Sequence, residues 1–394
     1  MNAPETDLTF LNSWRQRALT VGVVAMVLLV IGAFFDRAQF FRSYLIAYIF
    51  WLGIPLGALG ILMIHHLVGG TWGFIIQRLL ESAIRTFPVL GLLFLPILLG
   101  MSDLYPWARL DELLSDPVLR AKSAYLNGGF FIGRSILYFA IWISVSHFLT
   151  RWSEEQDRTA DGTLTQRLKA LSAPGLVLYG LTVTFSSIDW LMSLEPHWYS
   201  AIYGMLFMVS YALVALAFII ATNFVIWNRK PLPNVTTPSV FQDLGNLLLA
   251  FVMVWAYLSF SQFLIIWSEN LRHEIPWYLN RITGGWGAIA IALIIFQFAF
   301  PFILLLSRAN KRRAESLRAI ACCVVIMHLV EMFWFVAPAF HPGVLTLSWL
   351  DLVAPIGIGG LWISTLLWQM GARSVYPLHD PRFVAIIEEQ HGGL

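Results

Sequence analysis

The chain has 394 residues, of which 58% are hydrophobic and 12% charged, with a net charge of +2 and a mean hydropathy of +0.71. A soluble domain carries roughly 25% charged residues, so this composition excludes an ordinary soluble protein and defines a polytopic membrane protein. The small net charge offers no electrostatic footprint for nucleic acid, which is not expected as a partner.

The only cysteines, Cys322 and Cys323, are adjacent in sequence. Neighbours do not readily form a disulfide with each other, and two cysteines cannot hold an ordinary iron-sulfur cluster. They read as small apolar residues on a helix. No CxxCH occurs, so covalent haem is not expected. The opening MNAPETDLTFLNSWRQR is polar for too long and has no small-residue cleavage site after its apolar run, so no removable signal peptide is expected.

A spanning helix needs about 20 mainly apolar residues. Ten such runs occur, at about residues 18–35, 43–65, 84–101, 128–149, 172–189, 200–227, 241–267, 283–306, 317–337 and 350–370, which predicts an all-α fold. An even number puts both ends of the chain on one side. That side and its alternate loops hold seventeen of the 25 Lys and Arg residues, among them Arg15, Arg78, Arg151, Lys230, Lys311, Arg373 and Arg382. The positive-inside rule then predicts cytoplasmic termini.

In chain order, HHLVGGTWGFIIQRLLESAIRTFP (65–88) follows the second run. Gln77, Arg78, Glu81, Ser82 and Arg85 recur at three and four residues, with apolar residues between, which predicts an amphipathic helix at the cytoplasmic boundary leading into the third span. Arg78 with Glu81, and Glu81 with Arg85, are at pairing distance on such a helix. The loop from Ser102 to Asn127 predicts a short surface helix broken at Pro117, the segment from Arg151 to Lys169 reads as polar and loop-like, and NRKPLPNVTTPS (228–239) as proline-rich connection. VGGTWG (68–73) and TGGWG (283–287) form a weak echo that hints at internal duplication.

Ser186 to Gly204, SSIDWLMSLEPHWYSAIYG, joins the fifth and sixth runs on the outer side. It places Asp189, Glu195 and His197 among Trp190, Trp198 and Tyr199, and each titratable group needs a solvated or paired position. Bilayer-edge solvation and proton chemistry both account for them. In the ninth run His328 and Glu331 lie on one face near mid-membrane, which suits a proton relay or a packing hydrogen bond. His65, His66 and His147 end spans on the cytoplasmic side, and a b-type haem between them is a minor alternative. Asp103, Glu269, His273, Glu274, His341 and Asp351 fall at or near the outer face. No Walker motif, nucleophile elbow or HExxH occurs, so no self-contained catalytic or metal site is expected.

The stretch at 186–204 together with that at 65–88 resembles the F subunit of bacterial alternative complex III, within the polysulfide-reductase-like integral membrane proteins. The resemblance runs through nearly all the spans. It implies two four-helix bundles, about 43–189 and 200–337, flanked by the first helix (18–35) and the last (350–370) in a bacterial cytoplasmic membrane. It implies as partners a C-type quinol-binding sister subunit, an iron-sulfur subunit, multihaem cytochromes c and small membrane subunits, with a terminal oxidase as a further candidate. Haem c and iron-sulfur clusters would sit in those partners, and the quinol would be menaquinol or ubiquinol.

The expected role is proton translocation and assembly. Asp189, Glu195, His197 and Asp351 would serve the outer side, His328 and Glu331 the middle, and His66, Arg78 and Glu81 the cytoplasmic mouth. A quinone site, if this chain holds one, would use Asp189, His197 and Trp190, because quinol oxidation needs a base and a hydrogen-bond donor. The competing readings are a proton-coupled secondary transporter and a membrane scaffold. Transporters usually pair broken helices between halves, and Pro55, Pro88, Pro96 and Pro301 do not pair that way.

Overall fold

Among the described residues are ten helices of membrane-spanning length and apolarity, and they match all ten expected runs. A computed structural model describes residues 9–159, 161–229, 237–371, 376–377, 380 and 383–384. Lys230, Arg373 and Arg382, and residues 230–236 of the proline-rich connection, lie outside the described residues.

The helices are α1 (Thr9–Phe35), α2 (Arg37–Val68), α3 (Thr71–Leu99), α4 (Gly128–Thr159), α5 (Thr163–Trp190), α6 (Tyr203–Arg229), α7 (Pro238–Glu269), α8 (Trp286–Leu306), α9 (Ala314–Val336) and α10 (Leu350–Gly371). Several outrun the apolar runs that predict them, because polar caps carry the helix beyond the hydrocarbon. At the start of α2 the Asp36 carboxylate accepts the Gln39 amide at 2.9 Å. Pro88 and Pro96, which lack amide hydrogens, divide α3 into successive segments, Thr71–Ile84, Phe87–Leu93 and Leu95–Leu99.

α2, α3, α4 and α5 close one four-helix ring, and α6, α7, α8 and α9 close a second. The rings meet where α2 packs on α6 and α9 and where α5 packs on α6. α1 lies against α10 outside both rings, and each touches α2. α2 is apolar all round and is the most buried span, 94% of its apolar window being covered, as a helix without a polar face requires.

Small residues permit the closest crossings, since van der Waals fit, more than hydrophobicity, joins helices in lipid. Gly22 of α1 and Gly360 of α10 face each other so tightly that a Cβ on Gly360 would stand 2.4 Å from the Gly22 Cα.

Two local expectations are corrected. Thr71–Ile84 is not a surface helix: Gly73 through Ile84 are all buried, and its polar stripe turns into the first ring. A stripe facing water and one facing buried polar partners have the same period, so the sequence pattern does not separate them. The stretch from Arg151 to Lys169 is not a loop, because α4 runs on to Thr159 and α5 begins at Thr163. Its glutamates and arginines are good helix formers, and pairs from Arg85 to Glu154 (2.6 Å) and from Arg78 to Asp157 tie the extension to α3.

The connection between α3 and α4 does form short helices, Leu110–Ser115 and Pro117–Lys122, broken at Pro117 as expected. The glycine-tryptophan echo falls at the start of α3 and the start of α8, second in one ring and third in the other, on opposite faces. Those positions are not equivalent, so the echo is no duplication.

Candidate functional site

The connection at 186–204 does not gather its three titratable residues. Asp189 is fully buried at the end of α5, and Arg134 of α4 grips it through Nε and Nη2 at 2.8 and 2.9 Å. The Tyr138 hydroxyl donates to the same carboxylate at 2.6 Å. The Arg134 guanidinium lies 3.8 Å from the Tyr125 ring centre, a cation–π contact, and the Trp190 indole donates to Ser135 at 3.1 Å.

Glu195 instead pairs with Arg281 at 2.5 Å, and His197 lies exposed, 2.6 Å from Asp116. Slight desolvation pushes the Asp116 carboxyl up, but the Val118 amide and His197 outweigh it and hold the group below its ordinary value. A cavity of about 490 Å³ opens here beside Glu195 and His197, and Asp189 and Trp190 do not line it. Asp189, Glu195 and His197 thus belong to three separate pairs, each with a partner from another part of the chain.

Toward the end of the molecule that bears the start of α1, Arg78 holds Glu81 at 2.7 Å and Ser153 at 2.9 Å, while Gln77 donates to Glu81 at 2.9 Å. Arg85, expected to pair with Glu81, reaches Glu154 of α4 at 2.6 Å. His65 and His66 are buried beside this network with ring centres 5.8 Å apart. His147 faces outward from α4, on the exposed side, and does not join them. At the opposite end Asp351 accepts from Ser43 at 2.6 Å and Gln39 at 3.1 Å, fastening α10 to α2.

The most concentrated polar centre surrounds Glu331. Trp255 of α7 donates to its Oε1 at 2.6 Å, and Oε2 accepts from Ser210 of α6 at 2.6 Å and from Gln297 of α8 at 3.0 Å. His328 Nδ1 stands 2.8 Å from that same oxygen and 3.1 Å from the Ser210 hydroxyl. All four helices of the second ring contribute, and both Glu331 and His328 are 1% exposed. Glu331 lies past the middle of its span, roughly 25 Å from Ala314 but only about 12 Å from Ala339 at the α-helical rise. Gln297 reaches in from a π-helical turn, Ile294–Ala299, a geometry concentrated at functional sites.

From this centre a row of small residues leads along α2. Gly53, Gly57 and Gly60 share one face by helical spacing. A Cβ on Gly53 would lie 2.6 Å from the Tyr211 ring and 3.4 Å from His328 Nε2. One on Gly57 would lie 1.9 Å from the Tyr211 carbonyl oxygen, and one on Gly60 would lie 3.4 Å from the Tyr179 hydroxyl. The row therefore lets Tyr211, Tyr179 and His328 press onto α2 at the seam between rings. His328 Nε2 and the Tyr179 hydroxyl are buried there without a hydrogen-bond partner among the described residues. His66 is roughly 20 Å from Gly53 along the same helix, and Tyr179 meets the helix about halfway. Tyr179, Tyr211, Ser210, Trp255 and Gln297 were not legible as site residues, although the 53/57/60 glycine spacing marks where a close approach occurs.

Fold and centre together define a multi-pass helical membrane protein with a buried carboxylate–imidazole pair in its second ring. No protein-family model matches the chain, and no curated protein matches its sequence.

Proposed function

We propose that this chain is an integral membrane subunit of a quinol:electron-acceptor oxidoreductase of the alternative complex III type, contributing proton translocation and assembly. It would sit in a bacterial cytoplasmic membrane with both termini in the cytoplasm. Iron-sulfur, multihaem cytochrome c and C-type sister subunits would carry the electrons.

The observation that carries the reading is the Glu331–His328 pair, 2.8 Å apart and closed off within four helices. Ionisable groups are costly in a hydrocarbon slab and mark proton routes when they occur there. Carboxylate, imidazole and the Ser210 hydroxyl lie within hydrogen-bond reach of one another, so a proton can pass between them without either partner leaving its place. The Tyr179 hydroxyl stands between His328 and His66 along α2, at the Gly60 end of the glycine row, roughly 10 Å along the helix from each. Asp189 serves this reading as an anchor for the first ring, since Arg134 and Tyr138 occupy both carboxylate oxygens.

Affinity purification of the tagged chain from its native membrane tests the assignment. Recovery of multihaem cytochrome and iron-sulfur polypeptides in fixed proportion is the expected result. Recovery of the chain alone, active in substrate uptake when placed in liposomes, would replace it with a transporter.

A further inference from the structure

α8 turns into α9 at the end of the molecule that bears the start of α1, and the turn packs on α7. Ser307 opens a short helix there, Arg308–Arg312, its hydroxyl accepting the Asn310 amide at 3.5 Å, and the Asn310 side chain donates back to the Leu304 carbonyl at 3.0 Å. Two cations cross from this helix to α7 side by side. Arg308 Nε donates to the Gln242 side-chain oxygen at 3.0 Å, and Lys311 Nζ donates to that of Asn246 at 2.7 Å. Residues 308 and 311 share one face of their helix, and 242 and 246 one face of α7, so the two contacts form successive rungs.

The stem of Lys311 lies in a notch at Gly245, where a Cβ would stand 2.7 Å from the Lys311 Cγ. The notch leaves Lys311 only 8% exposed and delivers its ammonium to Asn246, an exposed residue on the outside of the ring. Both rungs end on neutral amides. No ion pair reaches Arg308 or Lys311 among the described residues, and Asp243 and Glu315, the acids nearest in sequence, pair with neither. An ammonium has three donors and Asn246 fills one of them without neutralising the charge, so the corner keeps an unmet demand for an anion. Arg312 and Arg313, both exposed, add to its positive field.

The depth of the corner says where that anion comes from. α7 has 32 residues, roughly 48 Å at the α-helical rise, against a hydrocarbon core of about 30 Å. Centred in the bilayer it extends roughly 9 Å beyond the core at each end, so Asn246, roughly 12 Å from Pro238, sits where headgroups meet acyl chains. Ala250, Met253 and Tyr257, all exposed, continue the stripe of Gln242 and Asn246 for roughly 17 Å, about half the thickness of the core. We propose that this corner binds an anionic phospholipid, its phosphate oxygens accepting from Lys311 and Arg308 and one acyl chain lying along Ala250, Met253 and Tyr257. A zwitterionic choline headgroup would bring its own cation against Arg312 and Arg313 and is disfavoured. The site is separate from Glu331 and does not depend on the complex to which the chain belongs.

Equilibrium binding of radiolabelled dioleoyl-phosphatidylglycerol to the delipidated full chain in detergent, purified with any subunits that accompany it, tests the site. Lys311→Met and Arg308→Gln are compared with the wild type and with Arg17→Gln, which removes the same charge from α1 at the same end, and helical circular dichroism and gel filtration confirm that each is folded. The expected result is saturable binding, weakened about fivefold by either change at the site and unaltered by Arg17→Gln. Dioleoyl-phosphatidylcholine and inorganic phosphate should each compete at least tenfold less well, the first for want of net charge and the second for want of an acyl chain. Equal competition by phosphatidylcholine would reduce the corner to ordinary lipid contact, and equal competition by phosphate would make it a soluble-anion site. Either result, unchanged binding in a folded site variant, or an equal loss in Arg17→Gln would overturn the proposal. Should Lys311→Met misfold, the exposed Arg308→Gln decides.

Discussion

Arg134 and Asp189 form a two-point ion pair inside the first ring, with Nε to Oδ2 at 2.8 Å and Nη2 to Oδ1 at 2.9 Å. The pair joins α4 to α5, and Tyr138 completes the carboxylate's contacts. Breaking a buried pair on one side leaves an uncompensated charge, which costs about 3–5 kcal/mol. Arg134→Met should therefore lower unfolding free energy by that amount, and Arg134→Met with Asp189→Leu should recover most of it. Unfolding in mixed micelles measures both. A double variant as unstable as the single would contradict the account.

The Tyr179 hydroxyl is buried at the seam between rings without a partner among the described residues. Removing an unsatisfied buried hydroxyl is neutral or stabilising by about 1 kcal/mol. Tyr179→Phe should thus leave stability intact while slowing proton movement through the assembled complex by about a hundredfold or more, the scale of one lost proton-transfer group. A packing role alone would leave the proton rate unchanged.

Gly57 has no room for a methyl group, because the Tyr211 carbonyl oxygen would stand 1.9 Å from its Cβ. Gly57→Ala should destabilise by about 1–3 kcal/mol through overpacking at the α2–α6 crossing. Gly133→Ala in α4, where nothing lies within 4 Å, should instead stabilise by about 0.5–1 kcal/mol. Opposite signs for the two changes, read by thermal unfolding, are the expected outcome.

His341 lies in the connection before α10, and Arg42 donates to its Nε2 at 3.3 Å, which requires an unprotonated nitrogen. Burial lowers the His341 pKa and the Arg42 cation lowers it further, against Asp351 and Asp36, which raise it. A group with a lowered folded pKa gives stability that is complete above its unfolded value, about 6.5, and lost as pH falls through the folded value. The melting temperature should drop between neutral pH and about pH 5, and drop less steeply in His341→Gln. Parallel curves would show that another group governs the loss.

The ten spans were legible because length and apolarity alone decide them, and the pairing of His328 with Glu331 followed from helical spacing within α9. Their other partners were not, since Ser210, Trp255 and Gln297 come from three separate helices whose register is set by packing. The connection at 186–204 misled for a related reason. Asp189, Glu195 and His197 are near in sequence, but Arg134, Arg281 and Asp116 draw them to three different places. The stripe at Gln77 to Arg85 had the right helix and the wrong surroundings, because its partners Ser153, Glu154 and Asp157 lie on a part of α4 that the polar sequence suggested was loop.

The central claim is that Glu331 exchanges protons while companion subunits carry electrons. Glu331→Gln keeps one acceptor oxygen for the Trp255 indole, lets the Ser210 hydroxyl turn to accept from the new amide, and removes the titratable carboxyl. Proton-to-electron stoichiometry of the variant complex in sealed vesicles measures the consequence. The account predicts an assembled complex with fewer protons moved per electron, and an assembled complex with unchanged stoichiometry would contradict it.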